Sequence, residues 1–389
     1  MKLVFVTHTM YPDFIGGREH HVHHLARAFA KEHEVVVIGG AKVSSAVEEV
    51  VDGYRRIRLP TISVTLSRNP LQVYRVIPRL RACLQKERPD LVHAFEYGSD
   101  STYVAYAYAR KRGCPFFLTI YGYVLKHPLL GMCKWIYDLC IGRRILEQAA
   151  GVFCVSKTQY DEVRAITSKP FFKGTLMIQE NGIMCSDFVG QDPSVQPLGE
   201  GDAPLSILSA SRIIPRKNIK TLILAVHEVV RQRGFLNVRL SIAGPDCGEK
   251  KSLQELIDAL DLHDHVALTG ELSYGEIRSL MCRHEVFVLL SLYEGMPLSV
   301  LEAMACGRAV IFSDCAVGRK MIRDNVDGVL VDPADIKAIA DVIIQLGSDR
   351  RKCTALGQQA QMKVLQFDSH AERKTIEGHY RKAFNANGN

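Results

Sequence analysis

Nothing in the chain is long and apolar enough to cross a bilayer. Runs such as Val286 to Leu290 and Val35 to Ile38 stop at five and four residues, where a spanning helix needs roughly 20. Met1 and Lys2 lead directly into Leu3-Val-Phe-Val6, which reads as a strand of the fold and not as the apolar core of a signal peptide. A cytoplasmic chain without an anchor of its own is therefore expected. No C-x-x-C pair occurs. The eleven cysteines, an odd number, are scattered from Cys83 to Cys353, and several sit in apolar runs, as Cys154 does in Val152-Phe-Cys-Val155. That pattern points to reduced, buried thiols and not to a disulfide framework. A nucleic-acid reader motif is also missing, so no nucleic-acid partner is expected.

What remains is an ordinary globular composition. With 389 residues, 47% of them hydrophobic and 23% charged, the chain can bury a sizeable core and should divide into two or three domains. Charge divides unevenly. Residues 1–190 hold 25 Lys and Arg against 17 Asp and Glu, a net +8, leaving 24 against 25, or −1, for residues 191–389. Much of the excess lies in Arg55, Arg56, Arg58, Arg68, Arg75, Arg79, Arg81, Lys86 and Arg88. Interleaved with Leu71, Val73, Tyr74, Val76, Ile77 and Leu80, residues 71–88 read either as a segment lying on an anionic membrane surface or as a solvated basic face.

Strand and helix patterns alternate throughout, the sign of α/β architecture. Strands are expected near Lys2–Thr7, Glu34–Ile38, Leu91–Ala94, Pro115–Ile120, Gly151–Val155 and Gly174–Ile178. After a Gly-, Pro- and acid-rich linker, Val189 to Pro204, six more follow near Leu205–Ala210, Val238–Ala243, Val266–Thr269, Val286–Leu290, Ala309–Phe312 and Gly328–Val331. Two such halves facing each other would make a cleft, and open α/β sheets bind ligands at the carboxyl ends of their strands. Asp368 to Phe384 reads as a last helix.

The densest signal is Glu294-Gly295-Met296-Pro297-Leu298-Ser299-Val300-Leu301-Glu302-Ala303-Met304-Ala305-Cys306-Gly307. Pro297 suits the first position of a helix and Gly307 a stop. From Leu298 to Cys306 only Ser299 and Glu302 are polar, so the helix belongs in a buried layer, where Glu302 needs a specific partner. A strand, a short loop and a helix N-terminus with unpaired amides form a receiver for an anion such as a diphosphate. The plain alternative is a solvated Glu294 and a Glu302 present for helix propensity. A second loop, Ser211-Arg212-Ile-Ile-Pro-Arg-Lys217-Asn218, leaves another strand with two cations five apart, a fork and a point charge that can hold one anion from two sides.

The Glu294–Gly307 stretch resembles, nearly letter for letter, the signature of the retaining GT-B glycosyltransferases of glycosyltransferase family 4. The likeness runs from Gly16-Gly17-Arg18-Glu19 through Asn181-Gly182-Ile183 to Asn325-x-Asp-Gly328. It implies two Rossmann-like domains facing across a cleft: residues 1–190 for the acceptor, 191–367 for the nucleotide sugar, and 368–389 as a helix returning to the first domain. It also implies that Arg212 and Lys217 hold the donor diphosphate, Glu294 the donor sugar and Glu302 the ribose. Gly16, Gly17, Gly244, Gly295 and Met296 would line the donor, Leu272 would lie where the base docks, and Leu298 and Ser299 would offer amides to the phosphates. A nucleoside diphosphate sugar, UDP- or GDP-linked, would be a substrate and no cofactor or metal would be needed. The acceptor would be a glycan or a lipid-linked sugar, and the chain could sit peripherally at the cytoplasmic membrane face.

Two features stand apart from that pattern. Tyr121 occupies a position where many members carry a histidine aimed at the reacting sugar. Since a phenol is a poor base at neutrality, either Tyr121 only positions substrate, or His93 or His127 compensates, or activity is weak. The Ser313–Lys320 segment likewise lacks the usual Gly-Gly and following Glu. His20 and His24 are one helical turn apart, but no second ligand cluster follows, so a polarised histidine on the cleft rim is preferred to a metal site. A sugar-nucleotide epimerase and a non-catalytic sugar-nucleotide-binding subunit stay as alternatives.

Overall fold

The computed structural model describes residues 1–14, 16–65, 73–121, 137–167, 174–188 and 203–387. The chain forms two compact units: Met1–Met184 with Phe367–Asn389, and Cys185–Gln366. Of the sequence-based linker only residues 203 and 204 are described.

The first unit is built on β1 (Lys2–Thr7), β2 (Glu34–Ala41), β3 (Val47–Val51), β4 (Tyr54–Pro60), β7 (Leu91–Phe95), β8 (Phe116–Ile120), β9 (Gly151–Cys154) and β10 (Thr175–Ile178), in the order β10-β9-β8-β7-β1-β2-β4-β3. β5 (Ile62–Thr65) and β6 (Val73–Val76) form a separate antiparallel pair. All neighbours in the large sheet run parallel except β3 against β4. Its central strands are apolar on both faces, as a sheet covered on both sides requires. Leu3, Phe5, Val35, Leu91, Phe95, Phe117 and Phe153 meet the Gly17–Ala30 helix and the terminal Ser369–Asn387 helix. Val4, Val6, Val36, Val92 and Leu118 meet the opposite layer, which includes Leu80, Leu84 and Ala105. The terminal helix is part of the core: Tyr380 is fully buried, and Ile183 N–H donates to Phe367 O at 3.0 Å where the chain returns.

β3 and β4 were not legible in the sequence, because the glutamates of β3 and the arginines of β4 read as a charged patch. In the structure those charges are neutralised by β3 and by neighbouring elements: Arg55 pairs with Glu48 and with Glu87 at the end of the Leu80–Glu87 helix, Arg56 with Glu49, and Arg58 with Asp13 in the loop after β1. The membrane-segment reading also loses its apolar half over 77–88, since Ile77, Leu80 and Leu84 are buried in the core. Arg79, Arg81, Lys86 and Arg88 remain on the outside. The described residues contain no helix long and apolar enough to cross a membrane.

The second unit is a parallel sheet of β11 (Leu205–Ala210), β12 (Val238–Ala243), β13 (Val266–Gly270), β14 (Val286–Leu289), β15 (Ala309–Ser313) and β16 (Val329–Val331), ordered β13-β12-β11-β14-β15-β16. Strands on one side of β11 are reached in sequence order, then the chain crosses to β14 and continues outward. The direction of winding therefore reverses between β11 and β14. In such a sheet the crevice at that reversal, beyond the carboxyl ends, is where ligands bind.

Candidate functional site

Both loops singled out by sequence lie at the β11/β14 reversal. The loop after β11 carries Arg212, then a short 3-10 turn over Pro215–Lys217 with Asn218 left-handed at φ 53°, then the Ile219–His227 helix. The loop after β14 carries Ser291 to Pro297. The two are stitched together by Leu292 N–H donating to Arg216 O at 2.9 Å and by Lys217 Nζ to Glu294 Oε1 at 2.6 Å. Burial lowers the Lys217 ammonium pKa while Glu294 opposes that shift. Arg212 is exposed beside this pair. Gly244 has φ 144°, and a Cβ there would fall 1.9 Å from Ser211 O. Only glycine lets the end of β12 lie that close to the backbone that carries Arg212.

Pro297 is the N-cap of the Leu298–Ala305 helix, one position earlier than the first-turn placement expected. Leu298 and Ser299 open the helix, so by helix geometry their N–H groups have no intrahelical acceptor and face outward from the terminus. The far end closes in a Schellman turn: Gly307 N–H donates to Met304 O and Arg308 N–H to Ala303 O, both at 3.0 Å, with Gly307 at φ 68°. Met296 and Leu298 are buried, and Gly295 and Ser299 are half-buried.

Glu302 is 6% exposed and has the partner its burial demands, the hydroxyl of Tyr274. Desolvation pushes its carboxyl up to about 7, the Tyr274 hydrogen bond opposing the shift. Tyr274 opens the Tyr274–Arg283 helix directly after Ser273, whose hydroxyl and Glu276 form a capping box. Half-buried Leu272 lies in the same turn after β13. Sequence alone gave no sign of the Tyr274–Glu302 pairing, since nothing in the spacing links the start of one helix to the middle of the next.

The first unit shows the same stitching at its own reversal, between β1 and β7. Gly16 and Gly17 open the Gly17–Ala30 helix, with Gly16 extended as N-cap. Arg18 reaches Glu96 after β7 at 2.5 Å and Glu19 at 2.7 Å, and Thr9 donates to Glu19 at 2.5 Å. A Cβ on Gly16 would meet Glu19 Oε2 at 2.5 Å, so this glycine makes room for that carboxylate.

Tyr121, just after β8, donates its hydroxyl to His21 Nδ1, while His21 Nε2 donates to Glu372 Oε1 at 2.7 Å. Glu372 Oε2 accepts from Gly182 N–H at 2.7 Å. A carboxylate on Nε2 leaves Nδ1 as the acceptor, which fixes the imidazole tautomer and the phenol proton together. Burial raises the Tyr121 phenol well above its ordinary range. His93 does not serve on the acceptor side: it is fully buried, with Nδ1 held by Tyr380 and Nε2 by Thr119 at 2.8 Å. Residue 93 points into the layer of the terminal helix, so both ring nitrogens are used by the core. His127 lies outside the described residues. The rim reading for His20 and His24 is likewise corrected, because both are buried side chains of the Gly17–Ala30 helix, His20 against Tyr11. Desolvation lowers His20 to about 4 and His24 well below the usual imidazole value. Among the described residues, the grouped metal-capable side chains are Glu32, His33 and Glu377, and Glu377 is already paired with Arg373 and Arg381. A hollow of about 410 Å³ beside Met1, Glu32 and His33 opens at the amino ends of β1 and β2, the wrong end of the sheet for a ligand of this fold.

Comparison with known proteins places these loops in a family. Residues 15–170 match the Glycosyltransferase Family 4 model and residues 191–363 the model of Glycosyl transferases group 1. The chain is 25% identical over 338 residues to a phosphatidylinositol N-acetylglucosaminyltransferase subunit of Arabidopsis thaliana, spanning 86% of this chain and 71% of that protein. It is 27% identical over 322 residues to the alpha-D-kanosaminyltransferase of Streptomyces kanamyceticus, covering 78% and 80%. Among solved structures it superposes on a sucrose-phosphate synthase from Thermosynechococcus elongatus with a TM-score of 0.76 and 21% identity, over 99% of both chains. HepE from Anabaena, in complex with UDP-glucose, gives 0.73 and 18% identity over 98% of this chain and all of that one. With its two parallel-sheet units, its switch-point loops and both family models matched along its length, the chain belongs to the group 1 glycosyltransferases of family 4, with the GT-B fold.

Proposed function

We propose that the protein transfers a sugar from a nucleoside diphosphate sugar, UDP- or GDP-linked, to a saccharide or lipid-linked acceptor with retention of anomeric configuration and without a metal. The observation that carries this is the meeting of Lys217, Glu294 and the Leu298–Ala305 helix terminus at the β11/β14 reversal, with Glu302 buried behind them. As the donor bond breaks, negative charge gathers on the diphosphate. Lys217 and the amides of Leu298 and Ser299 meet that charge with donors already fixed in place, and the exposed Arg212 adds a second cation beside them, the kind of electrostatic help that lowers a barrier most. Glu294 orients the donor sugar and restrains Lys217, and Glu302 binds the ribose hydroxyls. No second carboxylate is assigned to a covalent step, so attack on the face of the departing group, with the donor phosphate taking the acceptor proton, is the route this reading implies. HepE's complex with UDP-glucose and the N-acetylglucosaminyl- and kanosaminyltransferase relatives support the donor class.

The test is thermal stabilisation by UDP, GDP and ADP, for the wild type beside Glu302→Ala, followed by transfer assays with sugars of the nucleotide that binds. Saturation at about a hundred times the dissociation constant adds roughly 2.7 kcal/mol. No response to any nucleotide defeats the donor site. One observation favours a second reading, a non-catalytic nucleotide-binding subunit: Tyr121, at the usual histidine position, spends its proton on His21. Under that reading nucleotide binds and no acceptor is glycosylated, whereas Tyr121→His gains turnover.

A further inference from the structure

Cys282 and Cys306 are separated by 24 positions, yet their sulfurs lie 3.6 Å apart. Cys282 is the penultimate residue of the Tyr274–Arg283 helix, and Cys306 is the C-cap of the Leu298–Ala305 helix. Arg308 clasps the two helix ends together: Nε–H donates to Cys306 O at 2.7 Å, and Nη1–H reaches Cys282 O and His284 O, both at 3.3 Å. Neither sulfur is in a disulfide. Cys282 is partly open to solvent and Cys306 is 5% exposed, so one sulfur can meet a dissolved reagent and the other is sheltered beside it.

We propose that Cys282 and Cys306 form an oxidisable dithiol, a modification site in which Cys282 is the attacking sulfur and Cys306 the resolving one, with a hydroperoxide as oxidant. The electrostatics agree with that division. The cationic Arg308 and Arg278 beside Cys282 favour its thiolate, while burial pushes the Cys306 thiol up. The other thiols that shift, Cys83, Cys114, Cys154 and Cys353, are all raised by burial. Thiolate character and access decide which cysteine reacts. In the first step the Cys282 thiolate attacks one oxygen of the peroxide. The O–O bond breaks, hydroxide leaves and takes a proton to become water, and the sulfur is oxidised to sulfenic acid. In the second step the Cys306 sulfur attacks the sulfenyl sulfur. The S–O bond breaks, the hydroxyl leaves as water with the Cys306 proton, and the S–S bond forms. Two thiols and one hydrogen peroxide thus give one disulfide and two waters.

Closing the bond shortens the sulfur separation from 3.6 Å to about 2.05 Å. That movement reaches Glu302, whose carbonyl accepts the Cys306 N–H at 3.0 Å. An effect on nucleotide binding follows, and this part rests on the donor-site reading above.

The experiment treats the reduced full-length chain with hydrogen peroxide, alkylates remaining thiols and maps peptides without reduction. Expected are a Cys282–Cys306 linked peptide, a thiol count lower by two, and reversal by dithiothreitol. Cys306→Ser should stop at a Cys282 sulfenic acid trapped by dimedone, and Cys282→Ser should leave Cys306 unlabelled. Oxidation of exposed Cys140 before Cys282, or over-oxidation of Cys282 with no linkage, overturns the proposal. UDP, GDP and ADP titrations of the reduced and oxidised forms supply the second arm, with weaker binding expected after oxidation. A reduced chain that binds none of the three defeats the donor site and leaves the mapping result standing. Equal affinity in both forms, with the link present, removes the coupling to Glu302.

Discussion

Lys217 and Glu294 form an ion pair of 2.6 Å whose two side chains are only 11% and 8% exposed, and they come from loops on opposite sides of the β11/β14 reversal. The pair therefore holds the site's two halves in register before any ligand arrives.

Removing one member of such a pair leaves an uncompensated buried charge, at a cost of about 3–5 kcal/mol. Lys217→Met should lower the melting temperature more than the double variant Lys217→Met/Glu294→Gln does. Thermal denaturation of the four proteins of that cycle should give a coupling of about 1–3 kcal/mol; strict additivity would mean that the pair is ornamental.

Glu302 sets binding against stability. With its carboxyl at about 7 in the fold and near 4.5 when unfolded, the native state holds a proton between those values that the unfolded chain has released. Its contribution is fully present below pH 4.5 and lost as pH rises through 7, on the order of 3 kcal/mol in all. Glu302→Gln, which keeps an oxygen to accept from Tyr274, should melt higher than the wild type at pH 8, with a smaller gap at pH 5, while losing its response to nucleotide. A variant less stable at pH 8 would contradict the buried-acid assignment.

Acid should attack the first unit through its histidines. Burial lowers His20 to about 4 and His23 to about 3, so below the unfolded imidazole value of 6.5 the unfolded chain takes up protons that the native one refuses. Stability then falls as pH drops from 6.5 towards 4, by about 1.4 kcal/mol per pH unit for each of the two. Unfolding followed by the first unit's aromatic near-UV signal at pH 7, 6 and 5 should show this slope, reduced in His23→Gln. A flat profile would refute it.

Glu372 ties the terminal helix to His21 and to Gly182 N–H. Glu372→Ala should destabilise the first unit by about 2–3 kcal/mol, since it leaves a buried amide unsatisfied. Tyr121→Phe breaks only the His21 link: by leaving the buried Nδ1 without its donor it should destabilise the first unit by about 1–2 kcal/mol, leave nucleotide affinity intact and reduce transfer. If transfer is unaffected, Tyr121 is a wall of the site and nothing more.

The strands were largely legible because parallel sheets covered on both faces are written as short, uninterrupted apolar runs; β1, β11 and β12 match their expected ends. β4 was hidden because three of the seven residues of Tyr54–Pro60 are arginines, spread over both faces of the strand, with acid partners on other elements. The cations and carboxylates around β11 and β14 were legible because loop, proline and glycine fall close together in sequence. The partners were not. Tyr274 reaches Glu302 from a neighbouring helix, and Glu372 reaches His21 across 351 positions, distances over which one sequence carries no local signal. His93 misled for the opposite reason: an isolated histidine in a strand looks the same whether it faces a substrate or, as here, a tyrosine from the last helix.

Because Tyr380 and Glu372 belong to a helix that follows the whole second unit, the order in which the ribosome releases the chain matters. The second unit is one continuous stretch and can close as soon as it emerges, yet the first, although made earlier, waits with Phe29, His93 and Phe117 uncovered until the final twenty or so residues arrive to cap them. A stop codon just after Gln366 would thus strand the opening half of the protein, not its end, as a substrate for chaperones and proteases.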